Sequence, residues 1–202
     1  MRTPPAFAVI DFASIAAGVQ ATDALLKKAP VAFFRSGTVT RGRYLTLFGG
    51  SPAAVEEALE EGLSRGGRAV LDHLYLADVH PRLFEAIGGA RAPESAGPLA
   101  LVETDTVASI VLAAERALKG TGVELVEVRL ADEGLAGKGV AVFRGELHDL
   151  EAALEIVRAA LRPGCPLFTE ILPRPHDAFA HALAMGTAFS ASPFVELDGE
   201  AG

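Results

Sequence analysis

Five histidines, one cysteine, a glycine cluster and a run of acids are the groups in this chain with chemical potential. The histidines are His73, His80, His148, His176 and His181. A helical metal site needs two imidazoles one turn apart on one face. Only His176 and His181 lie close together, and i,i+5 does not put both on one helix face. Cys165 stands in the turn Pro163-Gly-Cys-Pro166 with no His or Asn motif beside it, which reads as a small half-buried residue rather than a nucleophile. The cluster Gly134-Leu-Ala-Gly-Lys-Gly139 invites comparison with a phosphate loop. That loop requires Gly at 132 and Ser or Thr at 139, where this chain has Asp132 and Gly139. A dinucleotide fingerprint would sit at a strand-to-helix turn, whereas this cluster falls between two strands. Glu56, Glu57, Glu60 and Glu61 recur at helical spacing and form a solvated face. No catalytic, cofactor or metal signature remains, so the chain reads as a non-enzyme with no cofactor.

Composition narrows the partners. The chain has 202 residues, 18 Lys+Arg against 26 Asp+Glu, and a net charge of −8. With no basic block, nucleic acid and anionic membrane are excluded as expected partners. A single cysteine leaves no disulfide framework and no Cys-rich zinc or iron–sulfur site within one chain. Met1 to Val19 resembles a signal peptide only superficially, because Asp11 interrupts it and the same pattern returns at residues 99–112. The uncharged run from Ala178 to Val195 is too rich in Ala, Ser and Gly for a membrane span. A cytosolic protein is expected.

What must position any function is a repeat. Ala8, Ala16, Val19, Ala21, Leu26, Lys27 and Val31 recur 92 positions later as Ala100, Ala108, Val111, Ala113, Leu118, Lys119 and Val123. Asp11 and Asp23 return as Glu103 and Glu115. The offset grows to 95 by Gly42/Gly137, Phe48/Phe143 and Gly50/Gly145, placing a three-residue insertion near 130–136. It reaches 96 at His80/His176 and Ala86/Ala182. The division is residues 1–90 for the first domain, 91–98 for a linker rich in Pro, Ala and Gly, 99–185 for the second domain and 186–202 for a C-terminal tail.

Each copy shows one order of elements. Phe7 to Ile10 and Leu99 to Val102 are apolar strands, and Ser14 and Thr106 cap the helices that follow. Val107, Ile110, Val111, Ala114 and Leu118 make one helical stripe. A hairpin comes next, then a helix opened in copy one by Ser51-Pro52, then a strand and a short helix. The order β-α-β-β-α-β-α, twice, predicts an α/β (α+β) protein of two tandem ferredoxin-like domains. Each has a four-stranded antiparallel sheet with helices on one face and the other face free for partners.

The segments Ala8-Val-Ile-Asp11, Ala21 to Val31 and Leu172-Pro-Arg-Pro-His-Asp177 resemble bacterial microcompartment shell proteins, the BMC domain family. Two copies in one chain resemble its tandem-domain type, in unpermuted order because each copy opens on the Ile-Asp or Val-Glu strand. The resemblance implies a homotrimeric pseudohexagonal tile in a microcompartment shell of the bacterial cytoplasm. It also implies hexameric and pentameric shell partners, the option of stacked trimers, and small metabolites passing a central, gated pore. By the same resemblance Lys27, Lys119, Arg174 and His176 lie at the tile edge. Copy one departs there, since Asp78 replaces the arginine. The pore loops are Thr38, Val39, Thr40, Arg41 and Gly42 in copy one, and Asp132, Glu133, Gly134, Leu135, Ala136 and Gly137 in copy two. Arg41, paired with Glu133, would set the charge preference of the channel. A tandem ferredoxin-like sensor or binding protein, with a ligand in the cleft between copies, is the competing reading.

Overall fold

A computed structural model describes residues 2–192 together with Phe194 and Leu197; the rest of the expected tail and Met1 lie outside the described residues. Copy one runs β1 (Ala6–Phe12), α1 (Ile15–Lys28), β2 (Phe33–Val39), β3 (Arg43–Gly50), α2 (Pro52–Gly66), β4 (Val70–Ala77) and α3 (Pro81–Ile87). Copy two repeats it as β5 (Leu99–Thr104), α4 (Val107–Gly120), β6 (Glu124–Leu130), β7 (Gly139–Arg144), α5 (Leu147–Ala160), β8 (Leu167–Leu172) and α6 (Asp177–Met185). The sheets have the orders β2-β3-β1-β4 and β6-β7-β5-β8, antiparallel throughout.

Local chemistry sets the helix starts. Ser14 Oγ accepts from the Ala17 amide, Thr106 Oγ1 from Ser109 and Ser51 Oγ from Ala54, each satisfying a free first-turn N–H. Pro52 follows Ser51 at the first helical position. The two short helices are capped by imidazole: His80 Nδ1 accepts from the Arg82 amide and His176 Nδ1 from Ala178.

Strand β1 is buried on both faces, and its alternation separates two cores. Ala6, Ala8, Ile10 and Phe12 face α1 and α2. Phe7 and Val9 face the other way, toward α3 and copy two. The two long helices therefore share one sheet face, as expected, but the short α3 lies on the opposite face, where Phe84 meets Phe7 and Phe33 with ring centroids 6.2 and 5.6 Å apart. The expectation that this second face stays free fails for copy one. The physical reason is that Phe7, Val9, Leu45, Leu47 and Leu76 make this face apolar as well, and α3 and α4 bury it.

The two copies consequently meet through a joint, with one apolar core running from β1 and α3 into α4 and β6. The first turn of α4 lands on paired acids of copy one. Asp11 and Asp72 are opposite residues of β1 and β4. Asp11 Oδ2 accepts from the Ala108 amide at 3.0 Å, and Asp72 Oδ2 accepts from Thr106 Oγ1 at 2.6 Å and Ser109 Oγ at 2.8 Å. Anions at a helix N-terminus are favoured by its dipole. At the other end of α4 the Glu115 carboxylate accepts from the His80 amide at 2.9 Å and pairs with Lys119 at 2.6 Å. Arg82 of α3 donates from Nε to the Leu125 carbonyl of β6 at 2.9 Å.

Candidate functional site

The two hairpin loops, 92 to 95 positions apart in sequence, come together at the end of this joint. Thr40 is the hinge pin between them. Its amide donates to the Ala131 carbonyl at 3.1 Å, its Oγ1 donates to the same carbonyl at 2.7 Å, and the Gly137 amide donates to that Oγ1 at 2.9 Å. The second loop closes on itself through Ala131 N–H to the Lys138 carbonyl and Lys138 N–H to the Leu135 carbonyl, both at 2.9 Å. The tight path needs left-handed backbone, which Gly42, Gly134 and Gly137 supply without strain and which Arg41 adopts at φ 67°.

Thr38, Val39, Thr40, Arg41 and Gly42 thus form one lip and Asp132 to Gly137 the adjoining one. Arg41 and Glu133 are both exposed, but they are not partners within the chain. Thr40 fixes the first loop so that the Arg41 guanidinium turns toward the start of α4, 3.7 Å from Asp105, while the Glu133 carbonyl accepts from Arg129 at 2.7 Å. Within the single chain the Arg41 contact is with Asp105. Behind the lips a cavity of about 710 Å³ opens between the copies, lined by Thr38, Leu45, Leu47, Ile87, Val128 and Arg129 among others.

Several residues that hold this arrangement carry no sequence motif. Arg43 is buried, and its Nη1 donates to the Gly137 carbonyl at 2.9 Å and the Asp105 carbonyl at 2.8 Å. It crosses from copy one into the base of the second loop. The one sequence signal is its repeat partner Lys138, which immediately precedes the matching strand at the 95-residue offset and pairs with Glu103 at 2.6 Å. Asp11 is fully buried beside them. Burial pushes its carboxyl up to about 6, against the lowering effects of the Ala108 N–H and the Arg43 guanidinium, and its Oδ1 has no hydrogen-bond partner among the described residues.

The expected edge residues divide into two situations. Lys119 belongs to the joint, donating to the Asp78 carbonyl of copy one as well as pairing with Glu115. Its counterpart Lys27 makes the matching i,i+4 pair with Asp23 at 2.6 Å but stands in solvent. Arg174 and His176 are exposed at the start of α6.

That contrast recurs along the whole helix pair. Val107 and Val111 of α4 are each 0% exposed in the joint, whereas their repeats on α1, Ile15 and Val19, are 40% and 49% exposed. On the sheets, Asp72 is buried under α4, whereas its repeat Phe168 on β8 is exposed. Ser109, which bonds Asp72, is matched by Ala17. Copy one thus exposes the helix face that copy two buries, and copy two exposes, around Phe168, the part of the sheet that α4 covers in copy one.

A family model for the BMC domain matches residues 6–82 and again 99–175. The bacterial microcompartment shell protein PduT of Citrobacter freundii is 33% identical over 182 residues, covering 90% of this chain and 98% of that protein. A solved microcompartment protein from Desulfitobacterium hafniense superposes with a TM-score of 0.72 at 30% identity, over 89% of this chain and 99% of that one. A fused permuted hexameric shell protein from the RMM microcompartment shares the fold, with a TM-score of 0.56 at 24% identity over 76% and 80% of the two chains.

Proposed function

The chain belongs to the BMC domain family, and from that premise we propose that three copies close into a pseudohexagonal tile whose joined hairpin loops border a metabolite pore. The protein is a structural component of the bacterial microcompartment shell, within the bacterial cytoplasm, and as such assembles with other shell proteins. The tile reading rests on one observation above all: the joint inside the chain buries α4 against the first sheet, while the repeat surfaces, the Ile15–Val19 face of α1 and the Phe168 part of the second sheet, are left open. A head-to-tail contact between chains would repeat the internal joint. The side chains fit that repetition. Where the internal joint places Ser109 on Asp72, the joint between chains would place Ala17 near Phe168, an apolar pair for a polar one. Asp23 would take the part of Glu115 and accept from the His176 amide of the next chain, and Lys27 would reach the Arg174 carbonyl as Lys119 reaches that of Asp78.

Light scattering on the purified protein should give about three times the 21.0 kDa of one chain, or a multiple of that if trimers stack. Co-expression with hexameric and pentameric shell proteins should give closed particles that contain it. A stable monomer at micromolar concentration would overturn the tile.

In the ring, three Arg41 lips would alternate with three Asp132–Glu133 lips around the axis. Like charges at close range are costly unless offset, and Asp105 supplies the offset for Arg41. The channel then presents one guanidinium and the free Glu133 carboxylate per chain, with no catalytic role. Replacing Arg41 by Ala in assembled shells should slow entry of a small anionic solute several-fold relative to a neutral one of equal size. Glu133→Ala should do the opposite. Unchanged flux ratios in both variants would remove the pore role from these residues.

A further inference from the structure

The segment between α3 and β5 contains a residue that anchors one copy to the next. Ala92 is buried among Leu99, Val126 and Val142, with Leu183 packed against them, and its amide donates to the Val126 carbonyl at 3.0 Å. This is the point where the chain, having left α3, passes the outer strand of the second sheet. Copy one has the same architecture around an open space. By strand register Phe7 stands for Leu99 and Leu47 for Val142, and by helix register Ile87 stands for Leu183. Those three residues, with Phe33, Phe34 and Phe84, line a groove of about 420 Å³ between β2 and α3. Phe34 on its rim is 52% exposed.

At the 96-residue offset Ala188 matches Ala92 and Phe189 follows it, past an α6 that runs two residues longer than α3. Phe189 is 95% exposed and touches none of its own cores. The geometry points to Phe189 of one subunit as the anchor that fills the groove between β2 and α3 of the next subunit. This rests on the head-to-tail ring proposed above. A larger plug suits the larger hole. A methyl suffices in the second copy, where valine and leucine side chains converge. In copy one three rings already in mutual contact, Phe7, Phe33 and Phe84, leave a wider slot, and a fourth ring would gain edge and face contacts there in addition to its buried area. A large apolar side chain exposed after α6 and an unfilled apolar groove in copy one are the pattern of an anchor and a pocket that meet between subunits.

The chain contains no tryptophan, so Phe189→Trp installs a single reporter. In the assembled protein its emission should be blue-shifted and its quenching by acrylamide several-fold weaker than in the same variant held monomeric by Val19→Asp. Adding Phe34→Glu, a change at an already half-exposed position, should return quenching to the monomer level while leaving copy one folded by circular dichroism. A trimer by light scattering in which the indole is freely quenched, with or without Phe34→Glu, would overturn the anchor and leave the ring intact. An indole shielded in the monomer would mean that its own chain fills the role, which overturns the proposal equally. A protein that is monomeric before any substitution would remove the ring itself and the anchor with it.

Discussion

Val19→Asp is expected to convert the proposed trimer into a folded monomer, whereas the same substitution at its repeat position, Val111→Asp, is expected to abolish folding. Val111 is fully buried within the chain, in contact with the core that runs through both copies. A carboxylate there has no partner and no water, and an unpaired buried charge costs several kcal/mol, comparable with the ~5–15 kcal/mol that holds a domain together. Val19 is half-exposed in the single chain and so carries no such penalty while the chain stands alone. In the ring it enters the environment of Val111, and the penalty falls on association, once for each of the joints between chains. The expected outcome is an unchanged circular dichroism spectrum and melting transition of a monomer, with light scattering showing one chain instead of three. Val111→Asp should instead give insoluble or unfolded protein. If Val19→Asp remains trimeric, the joint between chains does not repeat the joint within the chain.

The second large effect concerns Asp11. Its carboxyl is raised from 3.8 to about 6, chiefly by burial. The folded state therefore holds a proton that the unfolded state releases over the interval between those values, and stability falls as pH rises through it. The full penalty is present above about pH 6 and amounts to roughly 3 kcal/mol, because each tenfold change in proton affinity is worth about 1.4 kcal/mol. Burial sets the sign and outweighs the neighbours. Arg43 and the Ala108 N–H favour the anion, but Asp105 opposes it, and the neighbouring acid Asp72 is already engaged by Thr106, Ser109 and Arg162. Asp11→Asn keeps an oxygen for the Ala108 amide and removes the charge. It should flatten the decline in melting temperature between pH 4 and pH 6 and leave the variant more stable than the parent at pH 7.5. A parent whose stability rises across that interval, or a variant that retains the parent's slope, would show that Asp11 is not the group responsible.

Much of the fold is legible in the sequence because the signals are local. The apolar stripe of α4 and the caps at Ser14, Ser51 and Thr106 are each readable within one or two turns of chain, and the growing offset that marks the longer second loop comes from laying one copy on the other. The position of both hairpin loops follows from the same alignment. The partners of the loop residues do not. Arg43 looks like an ordinary charge at the start of a strand, and only the approach of the second copy turns it into a donor to the Gly137 and Asp105 carbonyls. His176 reads as one member of an edge motif, and the structure gives it a helix cap to make as well.

The sequence by itself determined that the protein is two copies of one β-α-β-β-α-β-α unit, with each helix and strand close to where the periodicity and caps put it. Tertiary structure alone decided which surfaces are inside. Val19 and Val111 occupy the same place in the repeat, and so do Asp72 and Phe168; nothing in their local sequence says that one of each pair is buried within the chain and the other exposed. Local pattern reports which face of an element is apolar, while burial depends on what a non-local partner brings to that face. Here the partner of copy one is copy two, and the matching faces of α1 and β8 have no partner among the described residues.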